Sequence, residues 1–153
     1  MKGSSAVIST LQSGLAREAQ LNLQYRMNTQ QVRNLGVKGL KKKMDGFGDD
    51  AHFFMKKLTR RILFLEGNAG YQVAKIVEVD SITSMLQAAL QLELSIVSPY
   101  EQAVQTAMQA LDDTTRNLFE HLLKWHQQHV DWLEQQLRLI EALGEATYIS
   151  TKV

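Results

Sequence analysis

The chain has 153 residues and a net charge of +1, a length suited to one domain around a single sizeable core. That charge balance points to no nucleic-acid partner and no membrane surface. The absence of cysteine excludes disulfides, thiolate metal ligands and cysteine nucleophiles, and fits a reducing, cytoplasmic compartment. The opening MKGSSAVIST has no long apolar segment, so no signal peptide is expected there. No apolar run approaches the ~20 residues that cross a bilayer.

The first helix is expected from Ser4 or Ser5 to about Asn34, with the stripe Val7, Leu11, Leu15, Glu18, Asn22, Tyr25 stepping by three and four. Gly36 ends it. The second runs from about Val37 to Leu65 on Leu40, Met44, Phe47, Ala51, Phe54, Leu58 and Ile62, weakened by Gly46 and Gly48. Glu66 to Asp80 has no helical period. Its residues, at ~3.3 Å each, reach almost ~50 Å, and a thirty-residue helix is ~45 Å long. The segment can therefore run the length of a bundle and set the third helix parallel to the second.

The third helix, capped by Asp80 or Ser81, carries Ile82, Leu86, Ala89, Glu93, Val97, Tyr100, Val104 and Leu111. Pro99 is expected to kink it near Glu93. The fourth starts at Asp112-Asp113-Thr114, ends before Gly144, and carries Leu118, Leu122, His126, His129, Leu133, Leu137 and Ile140. The tail is expected to add one small helix. The fold class is all-α, a four-helix bundle with a long crossover between helices two and three.

Four of those stripe positions carry a carboxylate or an imidazole: Glu18, Glu93, His126 and His129. Each lies within about one turn of the middle of its helix, so a bundle gathers them at one level. His126 and His129, three apart, share a face. Carboxylates and imidazoles together suit iron, zinc or manganese. They also suit metal-free buried pairs, Glu18 with His126 and Glu93 with His129. Both readings stay open from periodicity alone. The second helix offers only Ala51 and Phe54 at this level.

Met1-Lys2-Gly3, Gln24-Tyr25, the run Arg61 to Gly67 (RILFLEG), Leu92-Glu93-Leu94 and the run His129 to Glu134 (HVDWLE) together resemble bacterioferritin over essentially the whole chain. The two longer runs are the specific ones. The resemblance implies a ferritin-like four-helix subunit with a short C-terminal helix, in a shell of twenty-four homologous subunits storing a ferric mineral. It also implies a di-iron ferroxidase centre in each bundle and haem b shared between two subunits.

The family's di-iron pattern places one Glu on each of the first and third helices and Glu-x-x-His on each of the other two. Glu18 and Glu93 match. The fourth helix has His126-Gln-Gln-His129, so its bridging Glu is replaced by His126, and the second helix has Ala51 and Phe54 where Glu and His belong. Without bridging carboxylates, fast oxidation of paired iron is expected to be absent or badly impaired. Glu93, His126 and His129, with or without Glu18, remain as candidate ligands for a single iron or zinc ion.

The family's axial methionine aligns with His52, which leaves His52 as a candidate haem ligand or as a plain surface or interface histidine. Asn22 and Arg26 stand where an apolar haem wall is expected. Asn34, Glu66 and Asp131 match positions near the family's pores, or are ordinary helix ends. Lys41 to Lys43 read as a solvated face. Tyr25 and Trp132 resemble aromatics around the family's iron centre, or are plain packing, and Phe53, Phe64 and Trp125 read as subunit contacts. The expected function is an iron-storage shell subunit with an incomplete centre, co-assembling with a complete sister subunit. The alternatives are an oxidase with an altered centre and a haem-carrying electron conduit served by a small ferredoxin.

Overall fold

The computed structural model describes residues 1–153. The helices are α1 (Ser5–Asn34), α2 (Lys38–Phe64), α3 (Ile82–Ser95), α4 (Val97–Gln109), α5 (Asp113–Leu143) and α6 (Glu145–Ser150). No strand is present, and no helix is long and apolar enough to cross a membrane. The expected all-α bundle and its small C-terminal helix are what the chain adopts. Ser4 caps α1 by accepting from the Val7 N–H, and Gly36, at φ +80°, turns the chain into α2.

The long crossover is fixed by three glutamines of α1. Gln12 donates to the Asn68 carbonyl at 2.8 Å, Gln24 to Val77 at 2.9 Å and Gln31 to Val79 at 3.3 Å. The segment after α2 therefore tracks α1 from its N-terminal to its C-terminal end. Gly3 N–H donates to Leu65 O at 3.0 Å, which places the end of α2 beside the start of α1. It follows that α3 begins where α2 began, and runs parallel to α2 and antiparallel to α1. A hairpin connection cannot produce that arrangement.

Between α3 and α4 the helix breaks at Ile96, three residues beyond the expected kink at Glu93. Pro99 cannot donate to the Ser95 carbonyl, and its ring crowds that oxygen, so the disruption falls directly after Ser95. Ile96 takes the core place expected of Val97, which is only half-buried, and the face then continues at the expected Tyr100 and Val104, with Ala103 and Ala107.

Leu111, expected in the stripe, is instead 89% exposed at φ +56° in the turn before α5. Asn22 is half-buried and donates to the Gly48 carbonyl at 2.9 Å, and Leu21 takes the core place. Phe119 is fully buried where Leu118 was expected.

Asp112 helps to hold together the end at which α2 finishes beside the start of α1. Its carboxylate accepts from the Thr115 N–H at 2.9 Å, capping α5, and from Arg61 of α2 at 2.7 Å; both ion-pair partners are mostly buried. Asp112→Ala removes a cap and a charge-assisted bond together, and is expected to lower unfolding free energy by about 2–3 kcal/mol in urea denaturation. At the opposite end, Glu145 of α6 accepts from both the N–H and the hydroxyl of Thr83, capping α3.

Candidate functional site

Four helices converge on one chain of buried polar groups. His126 of α5 lies between the carboxylates of α1 and α3. Its Nδ1 is 2.6 Å from Glu93 Oε2, and its Nε2 is 2.9 Å from Glu18 Oε2. One turn on, His129 Nδ1 is 2.9 Å from Glu93 Oε1 and its Nε2 is 2.8 Å from Asp50 Oδ2. Glu18 and Glu93 are fully buried, and the histidines are nearly so. The order is Asp50–His129–Glu93–His126–Glu18, with Asp50 alone partly exposed at 30%.

Both tyrosines close the remaining valences. Tyr25 donates to Glu93 Oε1 at 2.5 Å and Tyr100 to Glu18 Oε2 at 2.5 Å. Each tyrosine follows a glutamate of its own strand of the bundle by seven residues, Glu18 to Tyr25 and Glu93 to Tyr100. Because α1 and α3 run antiparallel, each reaches the glutamate of the opposite helix. Phe47 stacks on the His129 ring at 3.9 Å, and Phe54 lies 5.7 Å from the His126 ring.

Each imidazole presents both nitrogens to carboxylates, and an imidazole donates twice only when protonated. Burial alone would lower the His126 pKa. The opposing charge and hydrogen bonds of Glu18 and Glu93 outweigh it and raise the value to about 10. His129 is raised in the same way by Asp50 and Glu93, against burial. Burial would raise Glu93, but hydrogen bonds from the two imidazoliums bring it down to about 2. Asp50 is lowered by His129 and by Trp125. Burial, then the adjacent carboxylates, push both tyrosines well above their usual range, so they stay protonated donors. Three carboxylates against two imidazoliums leave one net negative charge in the network.

Stability has a defined pH window as a result. A raised histidine contributes fully below its unfolded value near ~6.5, and loses that contribution as pH climbs toward about 10. A lowered glutamate contributes fully above ~4.5 and loses it as pH falls through about 2. Thermal midpoints measured across pH are expected to peak between about 4.5 and 6.5 and to fall on both sides. A midpoint still rising from pH 7 to 10 would contradict protonated histidines.

The same geometry bears on metal. One ligand atom each from Glu93, His126 and His129 can be chosen within 4.8 Å of one another. Ligands sharing a tetrahedral ion at ~2.1 Å stand roughly 3.4 Å apart. The four imidazole–carboxylate separations are 2.6–2.9 Å, which are hydrogen-bond distances. Ala51 and Phe54, both fully buried, offer a methyl group and a ring at this level and no further ligand atom.

All four sequence-predicted residues meet here. Tyr25 stands at the centre, as the resemblance implied, whereas Asp50 and the crosswise bond of Tyr100 were not anticipated, and the second helix thus offers more than Ala51 and Phe54. Asp50, directly before Ala51 in an exposed-looking Asp49-Asp50 pair, carried little signal. The repeated Glu-to-Tyr spacing of seven was a readable one. His52 lies apart from the network, exposed on α2. Nearby Arg26 pairs with Asp45 at 2.8 Å and Asp49 at 2.7 Å, its guanidinium packed where Gly48 lacks a side chain. Met55, Lys56, Thr59 and Arg60 border His52.

A family profile described as ferritin-like domain matches residues 8–143. The bacterioferritin of Streptomyces coelicolor is 34% identical, spanning all of this chain and 92% of that protein. A bacterial ferritin of Neisseria meningitidis serogroup B is 29% identical over the full length of both. The bacterioferritin of Mycolicibacterium paratuberculosis is 27% identical over 97% of this chain and 94% of its own. With the antiparallel α1, the crossover and the short α6, these likenesses place the chain in the ferritin-like family, among the bacterioferritin-type proteins.

Proposed function

We propose that this chain is an iron-storage shell subunit whose own centre does not oxidise paired iron, and that it works beside a sister subunit with a complete centre. The supporting observation is His126, hydrogen-bonded to both Glu18 and Glu93, where the family pattern places a bridging carboxylate. In the family set, four carboxylates offset the charge of two ferrous ions. Here two imidazoliums supply the positive charge from within the protein, and three carboxylates answer it.

The bundle keeps what a shell needs. Exposed Phe53, Phe64 and Trp125 give apolar area for contacts between like subunits. A shell of twenty-four subunits around a ferric mineral follows from the family reading. Co-expression with a bacterioferritin that has the full ligand set, followed by native mass spectrometry, tests the partnership. Mixed shells are the expected result, and strict segregation into two homomeric species overturns co-assembly.

A second reading rests on the closeness of the Glu93, His126 and His129 ligand atoms. If both imidazoles gave up a proton, these residues, joined by Glu18, would hold one iron or zinc ion. Anaerobic equilibrium dialysis decides it. One tightly held ion per subunit, lost in His129→Ala, supports this reading; no retained ion in the parent chain retires it.

A further inference from the structure

A hollow of about 430 Å³ opens where the start of α2, the middle of α5 and the end of α6 meet. Lys42 and Lys43 of α2 and Lys152 after α6 line it, above a wall of Phe47 and Trp132. None of the three lysines takes part in an ion pair. The one acid lining the hollow, Asp50, is turned to His129 at 2.8 Å. Three lysines line one hollow with no acid left to pair them, Lys152 with its Nζ 5.5 Å from the Tyr148 ring, and an anion entering the hollow is favoured.

The backbone builds this convergence. Gly39 N–H donates to the Lys152 carbonyl, and a Cβ on Gly39 would meet that oxygen at 2.6 Å, so only glycine lets the chain end dock there. A Cβ on Gly46 would meet nothing within 4 Å, which keeps the hollow open. Lys43 Nζ sits 5.7 Å from the Phe47 ring and 5.9 Å from the Trp132 ring. Lys42 and Lys43, expected as a merely solvated face, thus share a concave site with a third lysine 109 positions on from Lys43.

We propose that this hollow binds a phosphate group, either as free phosphate or as a small phosphate ester. The three ammonium groups supply charge-assisted donors, and the indole gives a flat surface for whatever carries the phosphate. The volume lies within the range of small-ligand sites and exceeds what a bare oxyanion fills.

The test uses the assembled protein with Trp125→Phe, so that Trp132 is the one remaining tryptophan. Inorganic phosphate and adenosine monophosphate are titrated separately at constant ionic strength, with potassium chloride as control, and indole emission is read. A saturable change with either phosphate and not with chloride is expected. Much tighter binding of the nucleotide identifies an ester as the ligand, and equal binding identifies free phosphate. Lys42→Ala/Lys43→Ala/Lys152→Ala should weaken binding by about tenfold or more, and Lys56→Ala/Lys57→Ala, elsewhere on α2, should not. Gly46→Leu fills the hollow without touching charge, and should block binding in a shell that still assembles. No saturable response, or undiminished binding in both the triple-lysine and Gly46 variants, would overturn the proposal.

Discussion

A chain carrying Ala51→Glu, Phe54→His and His126→Glu together is expected to oxidise Fe(II) in a fast phase saturating at about two iron ions per subunit. Positions 51 and 54 are fully buried, and Phe54 already touches the His126 ring. Side chains there point at the network and not at solvent. The three changes recreate Glu-x-x-His on α2 and α5 and leave Glu18, Glu93 and His129 in place. They also move one imidazole from position 126 to 54 and add two carboxylates, so the metal-free variant should melt lower than the parent. Divalent metal should recover the difference by binding only the folded form. A variant that assembles, is stabilised by Zn(II), and still oxidises iron no faster than buffer would show that more than ligand identity has been lost.

His126→Ala carries the other large effect. Its removal leaves two fully buried carboxylates without their shared cation. Breaking a buried ion pair by deleting one partner costs about 3–5 kcal/mol, more than the lost contacts alone, because the remaining charge is stranded. Urea denaturation should show a loss of that size. The comparison variant Glu18→Gln/Glu93→Gln/His126→Leu removes the charges together and should recover much of it. A loss below about 1 kcal/mol in His126→Ala would mean that the network is wet or otherwise compensated.

Much of this was legible in the residues. Stripes at three and four spacing fixed the helices within one or two positions, and the length of 66–80 anticipated the parallel α3. Glu18, Glu93, His126 and His129 stood out because a charged side chain on a core stripe has few explanations. The expected pairs Glu18–His126 and Glu93–His129 both form, although His126 serves both glutamates at once.

What stayed hidden depends on distances that periodicity does not encode. Asp50 sits off its helix's apolar stripe, and only the inter-helix distance brings it to His129. The break at Ile96 arises from the carbonyl four residues before Pro99, and it puts Ile96 in the core place expected of Val97. Leu111 reads as core until the turn places it at positive φ. The lysine hollow draws on residues more than a hundred positions apart, which only the docking of α6 unites.

The most direct test of the central claim is Fe(II) oxidation in air by this chain expressed alone, after its assembly has been confirmed. Oxidation at the rate of buffer is the predicted result, since on the proposed reading His126, between Glu18 and Glu93, takes the place of a carboxylate bridge. A fast phase saturating with iron per subunit would contradict that account, and would mean that Glu18, Glu93, His126 and His129 give up their protons to form a working metal centre.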